Sequence, residues 1–401
     1  MRNAQWRALG ISEADCEKPK IAVVNSSSEL ASCYSHLDEV AKVVQAAIRA
    51  AGGLPFEIRT AAPSDFITGA GARGAYMLAA RDLVTNDIEV AVEGAQLDGM
   101  DCLTSCDKTV PGQLMAAARL NIPTLVVPCG YQASGMHRGH HCDIEDLFVG
   151  AMPVVTGAMD GETIVGKSRQ AIRWPGVCSG MGTANSMHIV CEALGMALPG
   201  SAPVAAMSSK MMADVRAAGA RIVSMVWDDL KPRDILQPGA FANAVRAVLA
   251  VGGSVNCVKH LQAVATEAGL GGSVDVYALF ERFAAEVPVL AGIRPVGLQS
   301  IEEFEAAGGC RAVLTAAELG LGKLTITPWA GFFGPTGMPT ELVDKLSLEL
   351  RHALARPDVH DRLVGQGFSS YGMSAADFTA FFKKQYDGFV ATVRESNVKF
   401  E

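Results

Sequence analysis

The chain has 401 residues, of which 49% are hydrophobic and 19% charged, and its formal net charge at pH 7 is −8. This composition supports a sizeable buried core and excludes a disordered chain, and the acidic balance argues against a nucleic-acid or membrane surface. The first twenty residues lack the apolar stretch of a signal peptide. We therefore expect a soluble cytoplasmic protein, in which the ten cysteines are reduced.

Short β-branched runs alternate with helical patterns along the first two-thirds of the chain. In chain order, we predict a strand over residues 21–25, a helix over 36–51, strands over 88–92 and 100–103, a helix over 113–120, a strand over 124–127, a loop over 136–141, helices over 202–234 and 238–251, and a strand over 287–295. This alternation is typical of βαβ units. The expected fold class is α/β, with mostly parallel β-sheets flanked by helices.

The character of the sequence changes near residue 320. Cysteine is absent beyond it, and phenylalanine becomes frequent, at Phe332, Phe333, Phe368, Phe378, Phe381, Phe382, Phe389 and Phe400. Leucine recurs at every fourth position from Leu342 to Leu354, which predicts an apolar stripe on a helix. Ser374 and Asp377 have capping-box spacing and begin a second amphipathic helix. We place a boundary at about 316–322 and predict two domains, residues 1–318 and a short, mainly helical segment over 322–401.

Three cysteines share one sequence context, next to a predicted strand end or helix start. Cys33 follows the first strand, Cys106 follows the strand over 100–103, and Cys178 precedes a helical run. Loops at the carboxyl ends of parallel strands meet at one crevice, and helix N-termini there favour thiolates. From the residues alone, packing remains the commoner role for an isolated cysteine. We assign that role to the others, Cys16, Cys102, Cys129, Cys142, Cys191, Cys257 and Cys310.

Two long motifs resemble signatures of a known enzyme family. CDKTVPG at 106–112, continuing into QLMAAARLNIP, and GVCSGMGTANSM at 176–187 are similar to the two signatures of the family that contains dihydroxy-acid, phosphogluconate and aldonate dehydratases. The resemblance covers about residues 1–316. It implies that Cys33, Cys106 and Cys178 hold an iron–sulfur cluster, 2Fe–2S or 4Fe–4S. It also implies a Mg²⁺ ion on Asp65, Asp107 and Lys108, with Lys108 carbamylated and catalytic.

The resemblance implies a hydro-lyase that dehydrates a 2,3-dihydroxy acid to a 2-oxo acid, in branched-chain amino acid biosynthesis or sugar acid catabolism. Its partners would be a small hydroxy acid and a second copy of the chain in a homodimer, with no nucleic acid or membrane. VPCGYQASG at 127–135 departs from the family pattern. The substrate therefore stays open between a branched-chain precursor and a sugar acid.

The C-terminal part departs from the family altogether. Relatives carry a second domain, a β-barrel with the serine proposed as general base, and no segment here matches it. GFFGPTGMPTELVDKLSLELRHAL at 331–354 and the residues after it instead resemble the C-terminus of tripartite tricarboxylate-type solute-binding proteins. The join is either a natural fusion or an assembly artefact. Two hypotheses follow: an active hydro-lyase, or an inactive remnant that folds and binds the cluster.

Other polar residues have simpler explanations beside functional ones. His137, His140 and His141 lack the second segment that a zinc site needs, so a solvated loop is favoured. His36 and His260 either pack in the core or support metal ligands. Asp65 and Asp107 could also serve as helix caps or turn residues.

Overall fold

Four parallel strands form the central sheet of the chain. The structure is a computed structural model that describes residues 1–68, 74, 76–318, 334, 337–360 and 372–395. The strands are β1 (Lys20–Asn25), β2 (Leu54–Arg59), β3 (Gly99–Thr104) and β4 (Thr124–Pro128), and a two-stranded antiparallel sheet contains β5 (Gly135–His137) and β6 (His140–Cys142). The sheets of the described residues are these two, and neither is a closed barrel. The α/β class predicted from the sequence is confirmed.

Helices surround the central sheet and continue beyond it. Up to the sheet's last strand these are α1 (Arg2–Ala8), α2 (Glu13–Cys16), α3 (Leu37–Ala50), α4 (Asp65–Thr68), α5 (Tyr76–Gly94) and α6 (Thr109–Leu120). After it come α7 (Ile144–Val155), α8 (Gly161–Ser168), α9 (Thr183–Ala193), α10 (Ser209–Trp227), α11 (Pro232–Ile235), α12 (Pro238–Ala250), α13 (Asn256–Glu267), α14 (Val276–Ala284), α15 (Ile301–Ala306), α16 (Gly309–Glu318), α17 (Thr340–Leu354) and α18 (Ala375–Glu395). No helix among the described residues is long and apolar enough to cross a membrane.

The strand order places a topological switch point in the middle of the sheet. The strands lie in the order β2-β1-β3-β4, so the chain moves outward from β1 in one direction and from β3 in the other. α3 and α10 pack together on one side of the sheet, whereas α6 contacts β3 and β4 and packs against α5, α9 and α13. β1 and β3 are buried along nearly their whole length, as expected for strands covered on both faces.

Four predicted elements differ from the structure. The helix predicted over 202–234 is divided into α10 and α11, and residues 202–208 and 228–231 are not helical. Residues 88–92 lie inside α5, because Val84, Ile88 and Val92 recur every fourth residue and bury one helical face. Residues 136–141 form most of a hairpin, closed by Arg138 and Gly139 with φ values of +50° and +82°, the left-handed pair that tight hairpins need. Residues 287–295 form no strand, and only an isolated bridge joins Ile293 to Gln299.

The chain divides into two compact units, Met1–Ala317 and Glu318–Glu401. In the second unit, α17 carries the predicted leucine stripe, and Leu342 and Leu346 are 44% and 47% exposed. α18 begins with the predicted capping interaction, in which the Asp377 amide donates to Ser374 Oγ over 3.1 Å. Phe332, Phe333, Phe368 and Phe400 lie outside the described residues.

Candidate active site

The loops that carry Cys33 and Cys106 leave neighbouring strands at the central crevice. Cys33 lies between β1 and α3, and Cys106 lies between β3 and α6. β1 and β3 are adjacent and parallel, and their connections run to opposite sides of the sheet. Such a switch point separates two loops at the carboxyl ends of the strands and opens a ligand-binding crevice there. The strand order therefore brings the two cysteines together.

A third loop brings Cys178 to the same crevice. It precedes α9 and runs beside the segment after β4, where the Val177 amide donates to the Gly130 carbonyl over 2.9 Å. The Gly176 amide donates to the Ser32 carbonyl over 3.2 Å, which ties this loop to the Cys33 loop. Three segments far apart in sequence are thus joined by backbone hydrogen bonds around the thiols.

Two buried histidines donate hydrogen bonds to backbone carbonyls in or next to these loops. His36 Nε2 donates to the Cys129 carbonyl over 2.7 Å, and His188 Nε2 donates to the Ser105 carbonyl over 3.1 Å. Ser105 Oγ in turn donates to the Cys33 carbonyl. Burial lowers the pKa of His188 to about 4 and also lowers the pKa of His36. Both rings are therefore neutral near pH 7 and act as hydrogen-bond donors to the backbone.

The three thiols interact electrostatically. Hydrogen bonding to Cys33, followed by burial, raises the pKa of Cys106 well above its ordinary value. Burial and then the charge of Cys106 raise the pKa of Cys178 in the same way. A metal centre would reverse this effect, because thiols lose their protons when they bind metal. The raised pKa values of Cys106 and Cys178 keep these two thiols protonated until a metal binds.

A compact group of metal-binding side chain types lies elsewhere, on the hairpin and the start of α7. His141, Asp143 and Asp146 are the one group of three such residues in the described part of the chain whose ligand atoms all lie within 4.8 Å. The guanidinium of Arg294 is 3.1 Å from Asp143 and 3.0 Å from Asp146, and Lys167 is 3.4 Å from Asp146. These cations already neutralise the carboxylates, so the group is an ion-pair network.

The three cysteines do not form so compact a group, so at least one pair of their sulfur atoms is more than 4.8 Å apart. A single tetrahedral ion with metal–sulfur bonds of about 2.3 Å needs sulfur atoms roughly 3.8 Å apart. At least one pair of these sulfur atoms is therefore farther apart than a single tetrahedral ion requires.

Lys108, Asp107 and Asp65 form an ion triad next to Cys106. Lys108 Nζ is 2.7 Å from Asp107 and 3.2 Å from Asp65. Burial lowers the pKa of Lys108, but the charges and hydrogen bonds of the two carboxylates outweigh burial and hold that pKa above its ordinary value. Burial, together with Asp65, raises the pKa of Asp107 to about 7. Asp65 is the open member, with its side chain 39% exposed, against 4% for Lys108 and 9% for Asp107.

Arg81 and His260 lie beside this triad. Arg81 Nη1 is 3.4 Å from His260 Nδ1, and burial, then the charges of Arg81 and Lys108, lower the pKa of His260 to about 3. His260 is therefore a neutral ring that contacts Arg81. Sequence reasoning singled out His260 but missed Arg81, since an arginine within a helical pattern carries no signal of its own.

Glu145 was also missed. It lies in the first turn of α7 and is only 7% exposed. Burial, followed by the charge of Asp143, raises its pKa to about 7, and its own charge raises the pKa of Cys178. The sequence DIEDL resembles an ordinary capped helix start, so only the packing of α7 against the Cys178 loop shows where Glu145 lies.

The matches to known families agree with this architecture. Residues 18–327 match the family model described as dihydroxy-acid/6-phosphogluconate dehydratase N-terminal. The chain belongs to this dehydratase family. Residues 262–398 match the tripartite tricarboxylate transporter family receptor, so residues 262–327 are matched by both. The expected join of two families is thereby confirmed.

Curated relatives of the dehydratase part share more than a third of its residues. A dihydroxy-acid dehydratase of Methanococcoides burtonii is 39% identical over 323 residues, which are 80% of this chain and 58% of that protein. Those of Acetivibrio thermocellus and Methanothermobacter thermautotrophicus are 38% and 39% identical over 78% and 79% of this chain, and 56% and 58% of their own length. The chain thus spans less than two-thirds of the length of these relatives.

Proposed function

We propose that the chain is a hydro-lyase that converts a 2,3-dihydroxy acid to a 2-oxo acid with an iron–sulfur cluster and Mg²⁺. The observation that carries the proposal is the position of Cys33, Cys106 and Cys178 directly beside the triad of Asp65, Asp107 and Lys108. Soft thiolates suit iron, and carboxylate oxygens suit a hard cation. Two donor sets of different chemistry side by side are what a dehydratase of this family needs.

The three cysteines would hold the cluster. Three thiolates in place of four would leave one iron without a protein ligand, and the cluster would supply Lewis-acid chemistry for loss of a hydroxyl group. The protein's own contribution is to orient the loops: His36 and His188 hold the backbone carbonyls behind the thiols, at 2.7 and 3.1 Å. These hydrogen bonds hold the backbone next to Cys106 and the segment after β4 that pairs with the Cys178 loop.

Asp65, Asp107 and Lys108 would hold Mg²⁺. As an ammonium, Lys108 sits between the two carboxylates and takes the place of a cation. Carbamylation would replace that positive charge by a carboxylate-like group and provide a third oxygen ligand, which a divalent ion would then neutralise. The exposed side of Asp65 leaves an opening through which the carboxylate of a hydroxy acid can reach the ion.

The first experiment measures iron and acid-labile sulfide on anaerobically purified protein. Cys106→Ala is compared with Cys191→Ala, a control at a fully buried cysteine in α9. The proposal requires iron and sulfide in the wild type and in the Cys191 variant and their loss in the Cys106 variant. A metal-free wild type favours the alternative, a catalytically inactive remnant.

The second experiment tests Lys108. Protein incubated with ¹³C-bicarbonate is examined by ¹³C NMR for a carbamate signal, with and without Mg²⁺, and Lys108→Arg is the charge-matched control. The proposal requires a signal in the wild type that Mg²⁺ strengthens and that the arginine variant lacks. Formation of 2-oxo acid from a branched-chain dihydroxy acid and from a sugar acid then decides between the two substrate classes.

The homodimer is also part of the proposal. Light scattering on the metal-loaded protein should give twice the chain mass of 42.0 kDa. A monomer that still binds iron would remove the dimer from the proposal and leave the cluster site intact.

A further inference from the structure

Glu145 packs directly on the loop that carries Cys178. A Cβ atom placed on Gly180 would lie 2.4 Å from Glu145 Cγ and 2.6 Å from Glu145 Oε1, so a larger residue at position 180 would displace this side chain. The charge of Glu145 is strong enough at Cys178 to raise the pKa of that thiol. The carboxyl group therefore lies at the edge of the three-cysteine site.

The protein provides this buried carboxyl group with no hydrogen-bond donor among the described residues. Arg294, the nearby cation, is already paired with Asp143 and Asp146. The Asn185 side-chain amide, in the first turn of α9, donates to the carbonyls of Cys178 and Gly180 over 2.6 and 2.8 Å. The residue is only 7% exposed, and a carboxyl group without a protein donor depends on water or a ligand for its hydrogen bonds.

Two helix N-termini favour negative charge at this position. Glu145 lies in the first turn of α7, and its Oε1 would be 3.9 Å from a Cβ on Gly182, the residue that caps α9. Helix dipoles stabilise a carboxylate at such ends but do not replace a hydrogen-bond donor. The site thus holds a hydrogen-bond acceptor next to Cys178.

We propose that Glu145 lines the three-cysteine site and accepts a hydrogen bond from the hydroxyl group bound there, from water in the resting protein and from the hydroxy acid during turnover. This inference rests on the proposed function, because it needs a loaded cluster. It adds a specificity element, since a carboxylate acceptor favours ligands with a free hydroxyl group over analogues that lack one.

The test compares Glu145→Gln with Glu192→Gln. Both glutamates are 7% exposed, but Glu192 is on α9 and accepts from the Gly200 and Ala202 amides at 2.7 and 2.9 Å. Iron and sulfide are measured first, then the reduction potential of the cluster. Next, the change in the electron paramagnetic resonance spectrum is followed as glycerate, the simplest 2,3-dihydroxy acid, is added. Lactate and propionate, which lack one or both hydroxyl groups, serve as comparison ligands.

We expect the Glu145→Gln variant to keep its iron and sulfide. Its reduction potential should rise, because a negative charge near the cluster is removed, and half-saturation by glycerate should need a roughly tenfold higher concentration. The Glu192 variant should match the wild type in both measurements. Glu145→Asp, which keeps the charge but shortens the reach, should leave the potential near the wild-type value and still weaken glycerate binding.

Three outcomes would overturn the inference. If Glu145→Gln matches the wild type in potential and glycerate titration, Glu145 does not face the bound group. If Glu145→Gln alone loses iron, the carboxylate is a metal ligand and not a hydrogen-bond acceptor. A wild type without iron under anaerobic purification refutes the proposed function itself, and this inference with it.

Discussion

Asp101 offers a test of the core, because its burial determines both whether a substitution raises or lowers the free energy of unfolding and how that effect depends on pH. It lies in the middle of β3, is fully buried, and neither carboxylate oxygen has a hydrogen-bond partner. Its neighbours across the sheet are Val23 and Leu125. Gly99 lies on the same face of the strand as Asp101, and a Cβ atom placed on Gly99 would contact Val226 of α10. Burial raises the pKa of Asp101 well above its ordinary value, so the folded protein holds this carboxyl group protonated.

Asp101→Val replaces the unpaired polar group by one that suits a central strand. Burying an unpaired polar group costs roughly 1–3 kcal/mol, so below about pH 4, where the carboxyl group is largely protonated in both states, we expect the variant to be about 2 kcal/mol more stable. The unfolded carboxyl group ionises near pH 4, whereas the folded one stays protonated to higher pH. Wild-type stability therefore falls as pH rises, and the advantage of the variant grows by up to about 1.4 kcal/mol per pH unit.

The assay is urea unfolding under reducing conditions, followed by circular dichroism at several pH values between about 6 and 8. Asp101→Asn removes only the titration, so it should lose the pH dependence but gain less stability. Asp228→Asn, at an aspartate whose side chain is 61% exposed, should change stability by less than about 0.5 kcal/mol. Parallel pH curves for wild type and Asp101→Val, with no gain in stability, would show that Asp101 has a partner and refute the reasoning.

Three further changes should destabilise the protein, each measured by the shift of the urea midpoint. Arg119 joins α6 to Glu267 of α13 through two hydrogen bonds of 2.9 and 2.7 Å. Arg119→Met should therefore lower the free energy of unfolding by about 1–3 kcal/mol. An unchanged urea midpoint at every salt concentration tested would contradict this. Glu192→Ala leaves two amides without their acceptor and should cost about 2 kcal/mol, and an unchanged midpoint would mean that water replaces the carboxylate. Gly130 has φ +84°, and a Cβ atom there would lie 2.5 Å from Ala206 Cα. Gly130→Ala should therefore lower the free energy of unfolding by more than about 1 kcal/mol. An unchanged urea midpoint would show that the backbone at this contact relaxes.

The regular elements of the dehydratase part follow from local patterns where those patterns have one interpretation. The strand over 21–25 and the helix over 36–51 agree with β1 and α3 to within a residue or two at each end, because an unbroken apolar run and a 3.6-residue stripe predict different structures. Residues 88–92 have a strand-like composition but lie in a 19-residue helix. There the burial of one helical face outweighs the β propensity of isoleucine and valine.

The residues of the candidate site also differ in whether the sequence alone reveals them. The cysteine trio and the residues Asp107 and Lys108 lie in long motifs, so family resemblance predicts them without any structure. Glu145 and Arg81 lie in segments with no such motif, and each becomes relevant only through a neighbour distant in the chain. Glu145 meets Gly180, and Arg81 meets His260, 179 residues away in sequence.

The sequence alone determined the α/β class, the family and the residues expected to bind metal, since these depend on the order of residue types along the chain. The tertiary structure decided which loops meet. The order β2-β1-β3-β4 opens the crevice between β1 and β3, and hydrogen bonds between distant backbone segments bring Cys178 to it. Strand pairing and helix packing depend on contacts between residues far apart in the chain, which local patterns do not specify. The position of Glu145 beside the thiols is a consequence of those contacts.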